Sequence, residues 1–233
     1  MQALPSSHPA LNSMNTNRYQ ALVFDLDTLV DQDTGLVNAL LPLLARGSVA
    51  LTRTEVLSRY YTELARITST FHSKSFTRLH ALACLDLAAS LAVRVTTQES
   101  LTFSLSAERW PLFAEARSTL QSLCRSHDVV ILINESSPPI PLLVAHERQL
   151  ATIAIREDEL GDWLKAMGLR PSQALHISSN PQLIKTKLDK CLMRRPGNKR
   201  YWRRKMAIDC LSDLIQAPEC LDEVRCNQGL AGR

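Results

Sequence analysis

Ala21-Leu22-Val23-Phe24-Asp25-Leu26-Asp27-Thr28-Leu29 is the stretch on which the reading of this chain turns. Four consecutive apolar residues that end at two acids suit a strand buried on both faces of a parallel sheet. Open parallel sheets take their ligands at the carboxyl ends of the strands, which is where Asp25 and Asp27 stand. A carboxylate held there can attack an electrophilic carbon or phosphorus and leave an ester for water to hydrolyse. An Asp-x-Asp also serves simply to end a strand and cap the next helix, so the surrounding sequence has to decide.

Beyond this strand the apolar spacing turns helical. Leu36, Leu40, Leu43 and Leu44 form one set, Val56, Tyr60, Leu64 and Ile67 a second, and Leu79, Leu82, Leu85 and Leu91 a third. No strand pattern interrupts residues 34–104. Trp110-Pro111-Leu112 marks a return, followed by a helix to Cys124 and a buried strand over 129–133. A helix to about residue 149, a strand at 151–155, a helix at 160–167 ending at Gly168, and strands at 174–177 and 188–193 complete the pattern. Strands alternating with helices, interrupted by one long helical stretch, predict an α/β fold. It is a Rossmann-like parallel sheet with an inserted all-helical cap. The expected boundaries are a disordered lead at 1–18, a core at 19–33 and 105–226, a cap at 34–104 and a tail at 227–233.

Composition sets the outer limits. The chain has 233 residues, 45% hydrophobic and 21% charged, which is ordinary for a globular protein. No run approaches ~18 uninterrupted apolar residues, so no membrane span is expected. The first twenty residues lack the apolar core of a secretory signal. A net charge of +4 is too small to imply a nucleic-acid partner. The six cysteines show neither a CxxC nor zinc spacing, which fits reduced thiols and a cytoplasmic protein, with Cys84 and Cys124 filling core.

Three segments together resemble the haloacid dehalogenase superfamily, in its 2-haloacid dehalogenase-like branch. Phe24-Asp25-Leu26-Asp27-Thr28-Leu29 is similar to that family's nucleophile loop. Val129-Val130-Ile131-Leu132-Ile133-Asn134-Glu135-Ser136 is similar to its second strand, and His176-Ile177-Ser178-Ser179-Asn180 to the Ser-Ser-Asn form of its last motif. Arg194-Arg195-Pro196-Gly197 resembles the Arg-x-Gly stretch after the final strand. The likeness implies Asp25 as nucleophile, Asp27 and Thr28 as catalytic companions, and Asn134, Ser178, Asn180 and Arg156 around the substrate. An arginine early in the cap (Arg46, Arg53 or Arg59) would hold a substrate carboxylate.

The chain also departs from the family pattern. The glycine before the loop threonine is missing, which alters a permissive backbone position. The second-motif hydroxyl falls on Ile133, which has no hydrogen to donate. The third-motif lysine has no clean match; Arg156 is the nearest base. Ser179 and Leu183 stand where Mg²⁺-dependent relatives keep acids, so neither metal nor cofactor is expected.

The reading is therefore a metal-independent hydrolase in which Asp25 attacks a haloacid-like or other carbon–heteroatom substrate. Two alternatives stay open. One is a cyclase or lyase on the same fold with Asp27 as general acid, and the other is a non-catalytic binding protein. The expected partner is a small-molecule substrate, not membrane or nucleic acid, with room for a homodimer. His176 reads as a core histidine, and the seven bases among residues 194–205 as a solvated loop.

Overall fold

The computed structural model describes residues 18–71, 75–133, 137, 152–179, 188–193, 195, 207–208 and 211–214. The opening strand, β1 (Ala21–Asp25), lies at the centre of a six-stranded, all-parallel sheet. The others are β2 (Asp128–Ile133), β3 (Thr152–Arg156), β4 (Ala174–Ser178), β5 (Asp189–Met193) and β6 (Ala207–Ile208). Their order is β3-β2-β1-β4-β5-β6, so the chain builds outward in one direction from β1 and then in the other. The reversal leaves a crevice at the carboxyl ends of β1 and β4. Expected strand ends moved by a residue or so; β6 was not expected at all, and its two residues are too short for any period to show.

The central strands β1, β2 and β4 each have two buried faces. Leu22, Phe24, Val129, Ile131, Leu175 and Ile177 point to one, and Ala21, Val23, Val130, Leu132 and Ala174 to the other. Helix α6 (Leu160–Ala166) covers the second face with Leu160 and Leu164, then stops where Gly168 takes φ +69°, the left-handed value for which glycine is suited. Burying a Leu, Ile or Phe completely contributes roughly 1.5–3 kcal/mol, so this central strip anchors the fold.

Four helices follow β1: α1 (Gln32–Leu44), α2 (Arg53–Thr70), α3 (Phe76–Ser90) and α4 (Thr97–Leu105). Capping sets where they start. Asp31 accepts from Thr34 N at 3.1 Å, while Thr52 with Glu55 and Thr96 with Glu99 form reciprocal capping boxes. Their apolar stripes (Leu36 and Leu40; Val56, Tyr60 and Ile67; Leu79, Cys84 and Leu87) join the cluster on the first sheet face. His80 is buried with them, its Nδ1 2.6 Å from the Tyr60 hydroxyl and its ring stacked on Phe76. Burial pushes its pKa down to about 3, so it is neutral. No helix among the described residues is long and apolar enough to cross a membrane.

The helical segment leaves and re-enters the sheet layer through one paired crossing. Val30 bridges Leu112, Asp31 N donates to Pro111 O at 2.8 Å, and Phe113 N donates to Leu29 O at 2.9 Å. Trp110 is packed directly against the backbone of Gly35, where a Cβ would lie 2.3 Å from its Cγ. From there α5 (Ala116–Leu123) leads into β2. The expected helix reaching residue 149 lies outside the described residues. Cys84 is buried and Cys124 half-buried, both as free thiols, as is the buried Cys191.

Candidate active site

Asp25 ends β1, and the chain then tightens into a 3₁₀ turn over Leu26–Thr28. Leu29 N and Val30 N both donate back to Leu26 O at 3.1 Å. Among the described residues only Ala92 and Gly168 have positive φ, so this turn needs no glycine. The turn out of β1 closes with right-handed backbone throughout. Thr28 is fully buried, and its hydroxyl donates to Asp25 O at 2.7 Å, clipping the turn to the strand end.

Strand pairing surrounds Asp25. On one side it is in register with Leu132 of β2. On the other, His176 of β4 is in register with Val23, two residues earlier on the same face of the pleat. The imidazole Nε2 lies 2.9 Å from Asp25 Oδ1, with the His176 side chain 1% and the Asp25 side chain 17% exposed. Asp25 Oδ2 is buried and has no hydrogen-bond partner among the described residues.

Asp27 faces the same crevice from the turn. Ser179, just past the end of β4, donates to its Oδ2 at 2.5 Å, while Oδ1 is buried and unpartnered among the described residues. Burial, and next the charge of Asp25, push the Asp27 carboxyl up to about 6, against the Ser179 hydrogen bond and the electrostatic influence of His176 and Arg195.

Arg195 holds the turn from behind. Its Nε donates to Thr28 O at 3.1 Å, its Nη2 donates to the same oxygen, and its Nη1 reaches Glu115 at 2.6 Å. The guanidinium lies 3.7 Å from the Phe113 ring centroid. For Glu115, burial alone would raise the carboxyl, but the Arg195 hydrogen bond and charge together with backbone donors leave it below its ordinary value. The expectation of a solvated basic loop is therefore wrong for Arg195, which is buried because it satisfies a turn carbonyl and a carboxylate together. The other six bases of that stretch lie outside the described residues.

The remaining predicted residues divide. Ser178 is fully buried at the end of β4, beside the crevice. Arg156 ends β3, two strands from β1, and its exposed guanidinium bonds Glu159 at 3.1 Å and pairs with Asp158 at 3.6 Å. Asn134, Asn180 and Leu183 lie outside the described residues. Arg46 pairs with Glu99 at 2.5 Å, Arg53 donates to Thr34 Oγ1 at 2.7 Å, and Arg59 is exposed. Of these three, Arg53 reaches the first turn of α1, the element that follows the Asp25 turn.

His176 is the residue that sequence reasoning undervalued. It is buried as expected, but it is bonded to the candidate nucleophile. The available signal was its chemistry: a histidine inside an otherwise apolar strand needs a polar partner. Among the described residues no group of three His, Cys, Asp or Glu side chains is arranged to hold a metal ion, and one oxygen of each acid at the crevice already bonds His176 or Ser179.

No family model and no curated protein matches the chain. Solved structures do. The defluorinating L-2-haloacid dehalogenase Rha0230 is similar at 14% identity over 84% of this chain and 93% of its own, with a TM-score of 0.62. The L-2-haloacid dehalogenase PA0810 is 15% identical over 84% and 97%, with a TM-score of 0.61. YfnB of Bacillus subtilis, assigned as a HAD-hydrolase and bound to magnesium, is 17% identical over 84% and 97%, with a TM-score of 0.58. At such identities the likeness is one of fold, and the chain has the haloacid dehalogenase-like fold, a Rossmann-like parallel sheet with its first strand ending at Asp25.

Proposed function

We propose that this chain is a hydrolase in which Asp25 attacks the electrophilic carbon of a small haloacid-like substrate without a metal. The supporting observation is the state of the Asp25 carboxylate at the sheet's switch point. One oxygen is anchored by His176, and the other is buried with no partner among the described residues. A nucleophilic oxygen kept out of water and unpaired has little solvation to shed before it attacks.

Asp27 is the general base of the second step. Held near 6, its carboxyl is ionised in about nine molecules in ten at pH 7 and still basic enough to take a proton from water. The same value weighs against the acid-first reading, in which Asp27 protonates an alkene, because only about a tenth of the molecules would carry the proton at that pH. Thr28 and Arg195 fix the turn; Ser178, and with it Asn134 and Asn180, are the proposed contacts to the substrate. The helical segment over residues 34–104 is the proposed cap, with Arg53 as the arginine for a substrate carboxylate.

The test is mass spectrometry of the protein incubated with 2-chloropropionate, chloroacetate and fluoroacetate, together with halide release. The expected result is halide release and a carboxyalkyl ester on the peptide carrying Asp25, both lost in Asp25→Asn. Halide release that survives Asp25→Asn would remove Asp25 as the nucleophile.

A further inference from the structure

We infer that His176 is a catalytic residue for the second half of the reaction: its Nε2–H is the oxyanion donor when the Asp25 ester is hydrolysed. This rests on the hydrolase reading above, with Asp25 as nucleophile. It follows from which oxygen His176 holds.

An ionised carboxylate only accepts hydrogen bonds, so across the 2.9 Å contact Nε2 carries the proton and Oδ1 receives it. Oδ2, which has no partner among the described residues, is then the attacking atom. Oδ2 bonds to the substrate carbon, the carbon–halogen bond breaks, and halide leaves with the electron pair. Oδ1 is now the carbonyl oxygen of the ester. Asp27 takes a proton from water as the water oxygen adds to Cγ, and the carbonyl electron pair moves onto Oδ1, facing Nε2–H. Collapse re-forms the carbonyl and breaks the Cγ–Oδ2 bond. The departing alkoxide carries Oδ2 away and takes the proton from Asp27. Asp25, with one oxygen now from water, releases its own proton to solvent. The net change is halide, proton and alcohol from water and haloacid.

The hydrogen bond thus acts differently in the two steps. Before attack it stabilises the ionised nucleophile, so it does not accelerate alkylation. In the ester the charge on Oδ1 is small; in the tetrahedral intermediate a full charge returns there. The bond is stronger in the second transition state than in the ester before it, which is the condition for catalysis. Arg156 is spent on Glu159 and Asp158 at the surface, and the group beside Asp25 comes from the opposite neighbour, β4.

The experiment is a rapid-quench time course with 2-chloropropionate for wild type, His176→Leu and His176→Gln, with the Asp25 ester followed by mass spectrometry. In His176→Leu the ester should form at close to the wild-type rate and accumulate. Its decay and kcat should fall about 10²–10³-fold, the usual effect of losing one oxyanion donor. His176→Gln, whose amide N–H reaches a similar position, should restore part of the decay. Equal clearance in wild type and His176→Leu, or slowing confined to ester formation, would overturn the assignment. Should the leucine variant not fold, the ring N–H resonance of His176 decides: it should be displaced in Asp25→Asn, and an unmoved resonance also overturns it. An absence of ester in wild type, with that resonance displaced as expected, strikes the hydrolase reading instead, and the oxyanion role falls with it.

Discussion

Replacing Asp27 by asparagine tests the electrostatics of the site without any substrate. The Asp27 carboxyl rises from an ordinary 3.8 to about 6 in the folded chain, mainly through burial and then through the charge of Asp25. A folded pKa above the unfolded one means that the folded chain binds the proton more tightly. Wild-type stability therefore falls as pH rises from about 4 through 6 and levels off above. Integrating over that shift, ionised Asp27 costs about 3 kcal/mol at pH 7.5 but only about 1 kcal/mol at pH 4.5. Asp27→Asn removes the charge and still offers an oxygen to the Ser179 hydroxyl. Its buried amide N–H₂ lacks a ready acceptor, which subtracts a pH-independent amount. The difference between the two pH values survives this subtraction. Relative to wild type, Asp27→Asn should gain about 2 kcal/mol more at pH 7.5 than at pH 4.5. Urea unfolding of both proteins at both pH values, with unchanged m-values as the two-state control, measures this directly. An equal effect of the substitution at the two pH values would refute the argument and place Asp27 in water.

Other expected outcomes are simpler to read. Asp25→Asn should abolish halide release while leaving the far-UV spectrum and the urea midpoint near wild type, since it is nearly isosteric. Arg195→Met should destabilise by on the order of 3 kcal/mol in urea titration, because the Thr28 carbonyl and Glu115 lose a buried charged partner together. Gly35→Ala should cost about 1–3 kcal/mol by the same measure, since its Cβ would fall 2.3 Å from Trp110 Cγ and force the crossing apart. Treatment with EDTA should leave halide release unchanged; a loss restored by added Mg²⁺ would contradict the metal-free reading.

Much of the frame is local and was legible in the chain. The run 21–24 is apolar on consecutive positions because both faces of its strand are covered, and that alone marks a central parallel strand. Apolar spacing marked the stretches that became α1, α2 and α3, because the stripe each helix buries repeats within its own residues. The Asp-x-Asp-Thr at the strand end marked the candidate site for the same reason: the turn that presents it closes on itself within a few residues.

What decides the chemistry is not local. His176 and Asp25 are 151 positions apart, and only the parallel register of β1 with β4 sets them on one face within hydrogen-bond reach. A slip of one residue would turn His176 to the other face of the sheet. The Ser179 bond to Asp27 depends on the same register. Arg195 looked like one base in a basic stretch, and its burial follows from a carbonyl and a carboxylate that converge only once the turn and α5 are packed. Sequence by itself determined the strand and the two acids that end it, since hydrophobic period is a property of neighbouring residues. The tertiary structure decided which oxygen of each acid is held and which has no partner among the described residues, since that is a property of strands meeting in space.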